Sequence, residues 1–266
     1  MAGGKSREWM TERGALRVPE ITVYFWVVKA LSTAMGEATS DFLVKRISPI
    51  PAVGLGFIGF VVALALQFRV RRYVAWNYWG AVVGVGVFGT MAADVLHVGF
   101  RVPYIASTFL YAVILAAVFI RWDRTEHTLS IHSIDTPRRE AFYWAAVVAT
   151  FAMGTAAGDL TATTFHLGYG WSIVLFAGIL TVPAFGYRVL HWSPVLSFWF
   201  AYVMTRPFGA SFADWVGKPK DIGGLGHGDG VVALSLTAVI VVLVAYLAIS
   251  RRDVQSDPTG GVEAGI

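Results

Sequence analysis

Four aspartates occupy one place in a recurring pattern. The strings are GEATSD (residues 36–41), GTMAAD (89–94), GTAAGD (154–159) and GASFAD (209–214), each running from Gly to an Asp five positions on. Ten residues before each Gly stands a Trp preceded by an aromatic: Phe25-Trp26, Tyr78-Trp79, Tyr143-Trp144 and Phe198-Trp199. Ionised side chains in apolar stretches are expensive in a bilayer, so Asp41, Asp94, Asp159 and Asp214 point to a function. Hard carboxylate oxygens in a chain with no cysteine suit a bound Mn, Mg or Ca ion rather than copper or structural zinc. Rings of carboxylates also select cations in channels.

Other residues belong to the same constellation. Glu37 lies one helical turn before Asp41 and can face the same site. Thr90 and Thr155 follow Gly in the second and third copies and can add oxygen ligands. Lys29 and Arg206 are the two cations in these stretches, outnumbered by five carboxyls, so bound cations or protons must balance the remainder. Lys29, Thr33, Glu37 and Asp41 recur every four residues as one polar helix face. Lys29 reads either as a gate and internal counter-ion or as a stem snorkelling to the interface. Arg206 is expected to pair with an aspartate of another repeat. Pro207 next to it breaks or kinks its helix. Against the ion-site reading stands a structural one, in which Asp caps helices or bonds a neighbour, Gly allows close packing and Trp anchors the membrane interface. His97 and His166 read as interface residues, and DIGGLGHGDG as a flexible outer turn.

The elements that carry these residues are membrane helices. The chain has 266 residues, 56% hydrophobic and 14% charged, the balance of a polytopic membrane protein. Eight stretches have the length that a hydrocarbon core of about 30 Å requires. They lie near 21–44, 50–68, 75–97, 103–120, 141–166, 170–188, 194–216 and 230–250. They group as an N-terminal segment 1–20, four spans in 21–120, a linker 121–140, four spans in 141–250 and a tail 251–266 that reads as disordered. The first twenty residues lack the pattern of a cleaved signal peptide. Lys and Arg concentrate in the termini and even-to-odd connections, which places both termini in the cytoplasm. The same distribution, in short loops between apolar runs, argues against nucleic-acid binding.

The motif makes the chain a fourfold repeat of two spans. All odd spans run the same way, so the repeats are parallel. Fifteen helical residues from Trp to Asp rise about 22 Å, which sets the Trp at one interface and the Asp together near the other. The odd spans are rich in Gly and Ala and suit an inner layer; the even spans are bulky and suit a lipid-facing ring. The expected fold is an all-α polytopic membrane protein of eight transmembrane helices, odd inside and even outside.

Over residues 18–252 these repeats, the loop TLSIHSIDTPRREAFYW and the stretch FAMGTAAGD, the sequence resembles a bacterial family of uncharacterised membrane-anchored proteins with four tandem two-span repeats of unknown function. That resemblance implies a multi-pass protein of the bacterial inner membrane and no particular activity. From the residues, the expected function is transport of a small cation through a ring of Asp41, Asp94, Asp159 and Asp214, assisted by Glu37, with Lys29, Arg206, Thr90 and Thr155 in support and proton coupling as an option. The alternatives are a passive channel with a carboxylate filter and a scaffold with structural aspartates. No covalent cofactor and no catalytic set such as Ser–His or HExxH is expected. The expected partners are the lipid bilayer, a small cation and protons, with a homo-oligomer left open.

Overall fold

Residues 16–255 are described in the computed structural model; the remainder of the expected N-terminal segment (1–15) and of the expected tail (256–266) lies outside the described residues. Eight long helices follow one another: α1 Val23–Ile47, α2 Pro49–Arg69, α3 Ala75–Asp94, α4 Tyr104–Glu126, α5 Pro137–Asp159, α6 Gly168–Arg188, α7 Pro194–Gly217 and α8 Asp229–Ser250. Their starts are set locally. Thr22, Thr136 and Ser193 accept bonds from the backbone N–H three residues on, capping α1, α5 and α7, and Pro occupies the first turn of α2, α5 and α7. α4 runs to Glu126, so the expected linker 121–140 shrinks to 127–136, with one 3₁₀ turn at Ile131–Ser133.

Six of the eight helices are long and apolar enough to cross a membrane. The two outside that count, α1 and α7, are those that carry the buried cations Lys29 and Arg206. α1, α3, α5 and α7 pack as a closed ring, each against its two neighbours. The even helices lie outside it, with apolar side chains such as Leu234 and Ile249 open to the surroundings. Each even helix packs chiefly on the odd helix of the following repeat: α2 on α3, α4 on α5, α6 on α7, and α8 back on α1.

The register of the ring is fixed by glycine. The Gly of each motif faces the residue three before the Gly of the next copy: Gly36 faces Gly86, Gly89 faces Phe151, Gly154 faces Arg206, and Gly209 faces Thr33. Equivalent positions therefore meet at one level and the odd helices run in parallel. At Gly36 a Cβ would stand 2.8 Å from the carbonyl carbon of Gly86, a backbone atom that cannot turn aside.

At the Trp end, aromatics interlock in the same cyclic order. Phe25 meets Trp79 at 5.8 Å between ring centroids, Tyr78 meets Trp144 at 5.6 Å, Tyr143 meets Trp199 at 6.0 Å, and Phe198 meets Trp26 at 5.7 Å. These are normal separations for attractive ring pairs. The Tyr78 and Tyr143 hydroxyls bond at 2.5 Å inside this collar. Trp79, Trp144 and Trp199 are buried and only Trp26 is half-buried, so the expected interfacial belt is instead a set of helix-to-helix contacts.

The chain ends close the same face. Arg17 pairs with the fully buried Glu140 at 2.6 Å, and Gln67 donates to the same carboxylate at 2.8 Å. Gln255 donates to the carbonyls of Val18 and Pro19, and Asp253 is buried beside Tyr73. Residues 251–255 are thus packed rather than a free tail.

Glycine at the ring contacts is a steric requirement, unlike glycine on the outer, exposed face. Gly36→Ala should lower the thermal unfolding midpoint, with an overpacking cost of about 1–3 kcal/mol. Gly80→Ala, where a Cβ meets nothing within 4 Å, should leave it equal or higher.

Candidate functional site

The motifs build two layers on the axis of the ring. The first lies at the position after each Gly: Glu37, Thr90, Thr155 and Ala210. Arg206 extends from α7 into the space that Ala210 leaves, and its guanidinium is fully buried. One of its nitrogens lies 2.6 Å from Glu37 Oε2, 2.5 Å from Thr90 Oγ1 and 2.6 Å from Thr155 Oγ1. Another donates at 3.4 Å to the carbonyl of Thr33. Every repeat contributes, because equivalent positions share one level. The expected partner of Arg206 was an aspartate; the structure gives Glu37 and two hydroxyls. Thr90 and Thr155, expected as ion ligands, accept from the guanidinium. Their own hydroxyl protons go to helix carbonyls at Gly86 and Phe151. Pro207 does not break α7, which is continuous from Pro194 to Gly217.

Lys29 lies beneath this layer. It is fully buried, its ammonium has no hydrogen-bond partner, and it rests 4.3 Å from the Phe151 ring centroid and 4.2 Å from that of Tyr202. Such ring contacts offset part of the cost of burying an ammonium. The snorkelling reading is therefore replaced by burial in an aromatic cage.

The second layer holds the four aspartates. Asp41, Asp94, Asp159 and Asp214 line one cavity of about 610 Å³, with Glu37 at its wall. Val44, Val53, Tyr104 and Tyr169 supply apolar and aromatic walls. Asp94 and Asp159 are the last α-helical residues before π-helical turns at Val95–Gly99 and Leu160–Thr164. Such turns widen the helix and recur at functional sites. α1 and α7 continue through their aspartates without one.

The carboxylates are unequal. Lys218 bridges Asp41 and Asp214, the latter at 3.4 Å. Burial works against the Lys218 ammonium, but Asp214 and Asp41 outweigh it and hold its pKa above the ordinary lysine value. Lys45 pairs with Asp229 at 2.5 Å and approaches Asp41 at 3.5 Å. Asp94 and Asp159 form no ion pair among the described residues. The spacing does not make a metal centre: among the described residues, no three His, Asp or Glu side chains come together as a group able to hold a metal ion. The aspartates share a cavity, not a ligand shell. His97 turns its Nδ1 to the carbonyl of Val102 at 2.6 Å, and neither it nor His166 lines the cavity.

Lys218 escaped the sequence reading although it carries a signal. It follows Asp214 by four residues, as Lys45 follows Asp41, the spacing of a helical ion pair. Tyr104 and Tyr169, from the helices that follow the π turns, had no such mark.

The two buried cations differ in what they hold together. Arg206→Met strands Glu37 and should cost about 3–5 kcal/mol in unfolding free energy. Lys29→Met removes an ammonium with no partner and keeps its apolar stem, so the unfolding midpoint should stay or rise. Parallel thermal unfolding in detergent distinguishes the two.

The repeat is independently recognisable. The family described as "Repeat of Unknown Function (DUF347)" matches four times, at residues 24–73, 77–128, 142–190 and 197–253. Each match takes in one odd and one even helix. No curated protein and no solved structure matches the chain. The four tandem matches cover most of its length, and the chain belongs to this repeat family.

Proposed function

We propose that the chain is a multi-pass carrier of a small cation in a bacterial inner membrane. In this reading all eight helices cross the bilayer, the aromatic collar and both termini face the cytoplasm, and the aspartate cavity faces the other side. The observation that carries it is the cavity itself. Four carboxyls, one from each repeat, line it with the ammonium of Lys218, Lys45 reaches Asp41 at 3.5 Å from outside the lining, and the charge of Glu37 is met by Arg206. A cavity so unbalanced favours a cation or protons. Its width suits an ion that keeps part of its water, as Mg²⁺ does, so Mn, Mg and Ca remain the ions to test.

A carrier fits better than an open channel. Beyond the cavity the axis is filled by Arg206, Lys29 and the collar. Glu37 belongs to both regions, lining the cavity and holding Arg206. A cation that draws on Glu37 weakens the hold on Arg206, which would link occupancy to a change along the axis. Protonation of Glu37 would act the same way, giving a route to proton coupling.

One observation favours a second reading. Lys218 joins α1 to the end of α7 through Asp41 and Asp214, which is what a scaffold with structural aspartates would do.

Thermal unfolding with Mn²⁺, Mg²⁺, Ca²⁺, Na⁺ or chelator separates them. For a carrier, one ion should stabilise the wild type by about 2.7 kcal/mol at a hundredfold excess over its Kd. Asp94→Asn/Asp159→Asn should abolish that gain, and the same variant in proteoliposomes should lose uptake of that ion. A variant merely less stable, with no ion response in either protein, would establish the scaffold.

A further inference from the structure

The groove between α6, α7 and α1 lies outside the ring and away from the aspartate cavity. It encloses about 910 Å³ at the collar end, and its walls include Trp26, Pro183, Ala184 and Phe198. Polar side chains interrupt these walls, among them Arg188 and Ser197. Arg188, the last residue of α6, lines the groove and forms no ion pair among the described residues. Ser197 lines it too, and its buried hydroxyl has no hydrogen-bond partner.

We infer that this groove seats an anionic phospholipid. An acyl chain lies along the apolar wall, the phosphate meets Arg188, and the Ser197 hydroxyl donates to a phosphate or ester oxygen. The position supplies the occupant. The groove opens outward along α6, a helix long and apolar enough to cross a membrane, where hydrocarbon chains are the surroundings. A basic residue at the end of an apolar cleft selects headgroup charge, and cytoplasmic-side basic pockets between helices bind such lipids. Within the same fold, the groove around Phe60, Trp144 and Val148 provides a contrast. It places Trp144 where the first groove has Trp26, yet no basic residue lines it. Arg121 and Arg138 belong to an adjoining pocket, and Arg138 is held by Glu126 at 2.9 Å. That groove can accept acyl chains, but of the two it is the groove at Arg188 that has a basic residue in its own wall. Trp26 is the one motif Trp left half-buried, and it is left so beside this groove.

Native mass spectrometry of the full chain from detergent tests the inference, with phosphatidylglycerol or phosphatidylcholine added at equal concentration. The wild type should retain phosphatidylglycerol about fivefold better, the factor corresponding to ~1 kcal/mol for one basic residue near an anionic headgroup. Arg188→Gln should bring its retention down to that of phosphatidylcholine. Ala184→Trp, which fills the groove, should lower retention of both lipids. Equal retention of the two lipids by the wild type would overturn the inference, as would an unchanged preference in Arg188→Gln. So would glycerol phosphate, which lacks acyl chains, displacing phosphatidylglycerol at equal concentration, since the site would then be one for the free anion.

Discussion

A guanidinium removed from water needs acceptors on the protein around it. The two terminal nitrogens of Arg206 find them on every other repeat: the carboxylate of Glu37, the hydroxyls of Thr90 and Thr155, and the carbonyl of Thr33; its Nε is left without one. The chemistry at the centre of the ring is therefore not fourfold, although the backbone around it is. One repeat supplies the cation, one the anion and two the neutral acceptors. The packing follows from that division. Gly154 faces the Arg206 stem at the place where any side chain would stand. Ala210, in the same repeat as Arg206, leaves the axis open for it.

This centre also governs the cavity above it. Glu37 lines the aspartate cavity and at the same time pairs with Arg206, so one carboxylate belongs to both regions. On the opposite side the interior passes from the Lys29 cage to the paired hydroxyls of Tyr78 and Tyr143 and the interlocked rings, and the buried Arg17–Glu140 pair closes that end. The aspartate cavity and the aromatic collar are thus made from the same four helices, at different distances along the motif.

Much of this arrangement could be read from spacing alone. Trp, Gly and Asp recur without gaps, and a helix converts equal spacing into equal depth, so the ring, its parallel sense and the meeting of the aspartates in one cavity were legible. Shared depth says nothing of pairing within a layer. Glu37, Thr90 and Thr155 were recognised as equivalent, yet the guanidinium at their centre comes from a different offset, three residues before Gly209. The tryptophans misled because the same residue suits a lipid interface and a tight helix contact, and only packing decides between them. The aspartates suggested a metal shell because depth fixes height and not separation across the axis. The π turns after Asp94 and Asp159 left no trace in composition. The packing of each even helix on the next repeat was equally silent, since hydropathy that is uniform around a helix does not name the neighbour it covers.

The return of α8 onto α1 has a consequence for biosynthesis. Of the eight helices, α1 is made before the others and is among the most polar, and α8, its outer cover, is made after them. Until α7 arrives, α1 lacks Arg206, the charge partner of Glu37, and until α8 arrives it lacks its cover. The nascent chain must keep a charged helix sheltered while the later helices are made, with α2 and then α3 as its first companions. The ring thus closes only with α7, and a product cut before Arg206 would leave the Glu37 carboxylate without its partner for quality control to recognise.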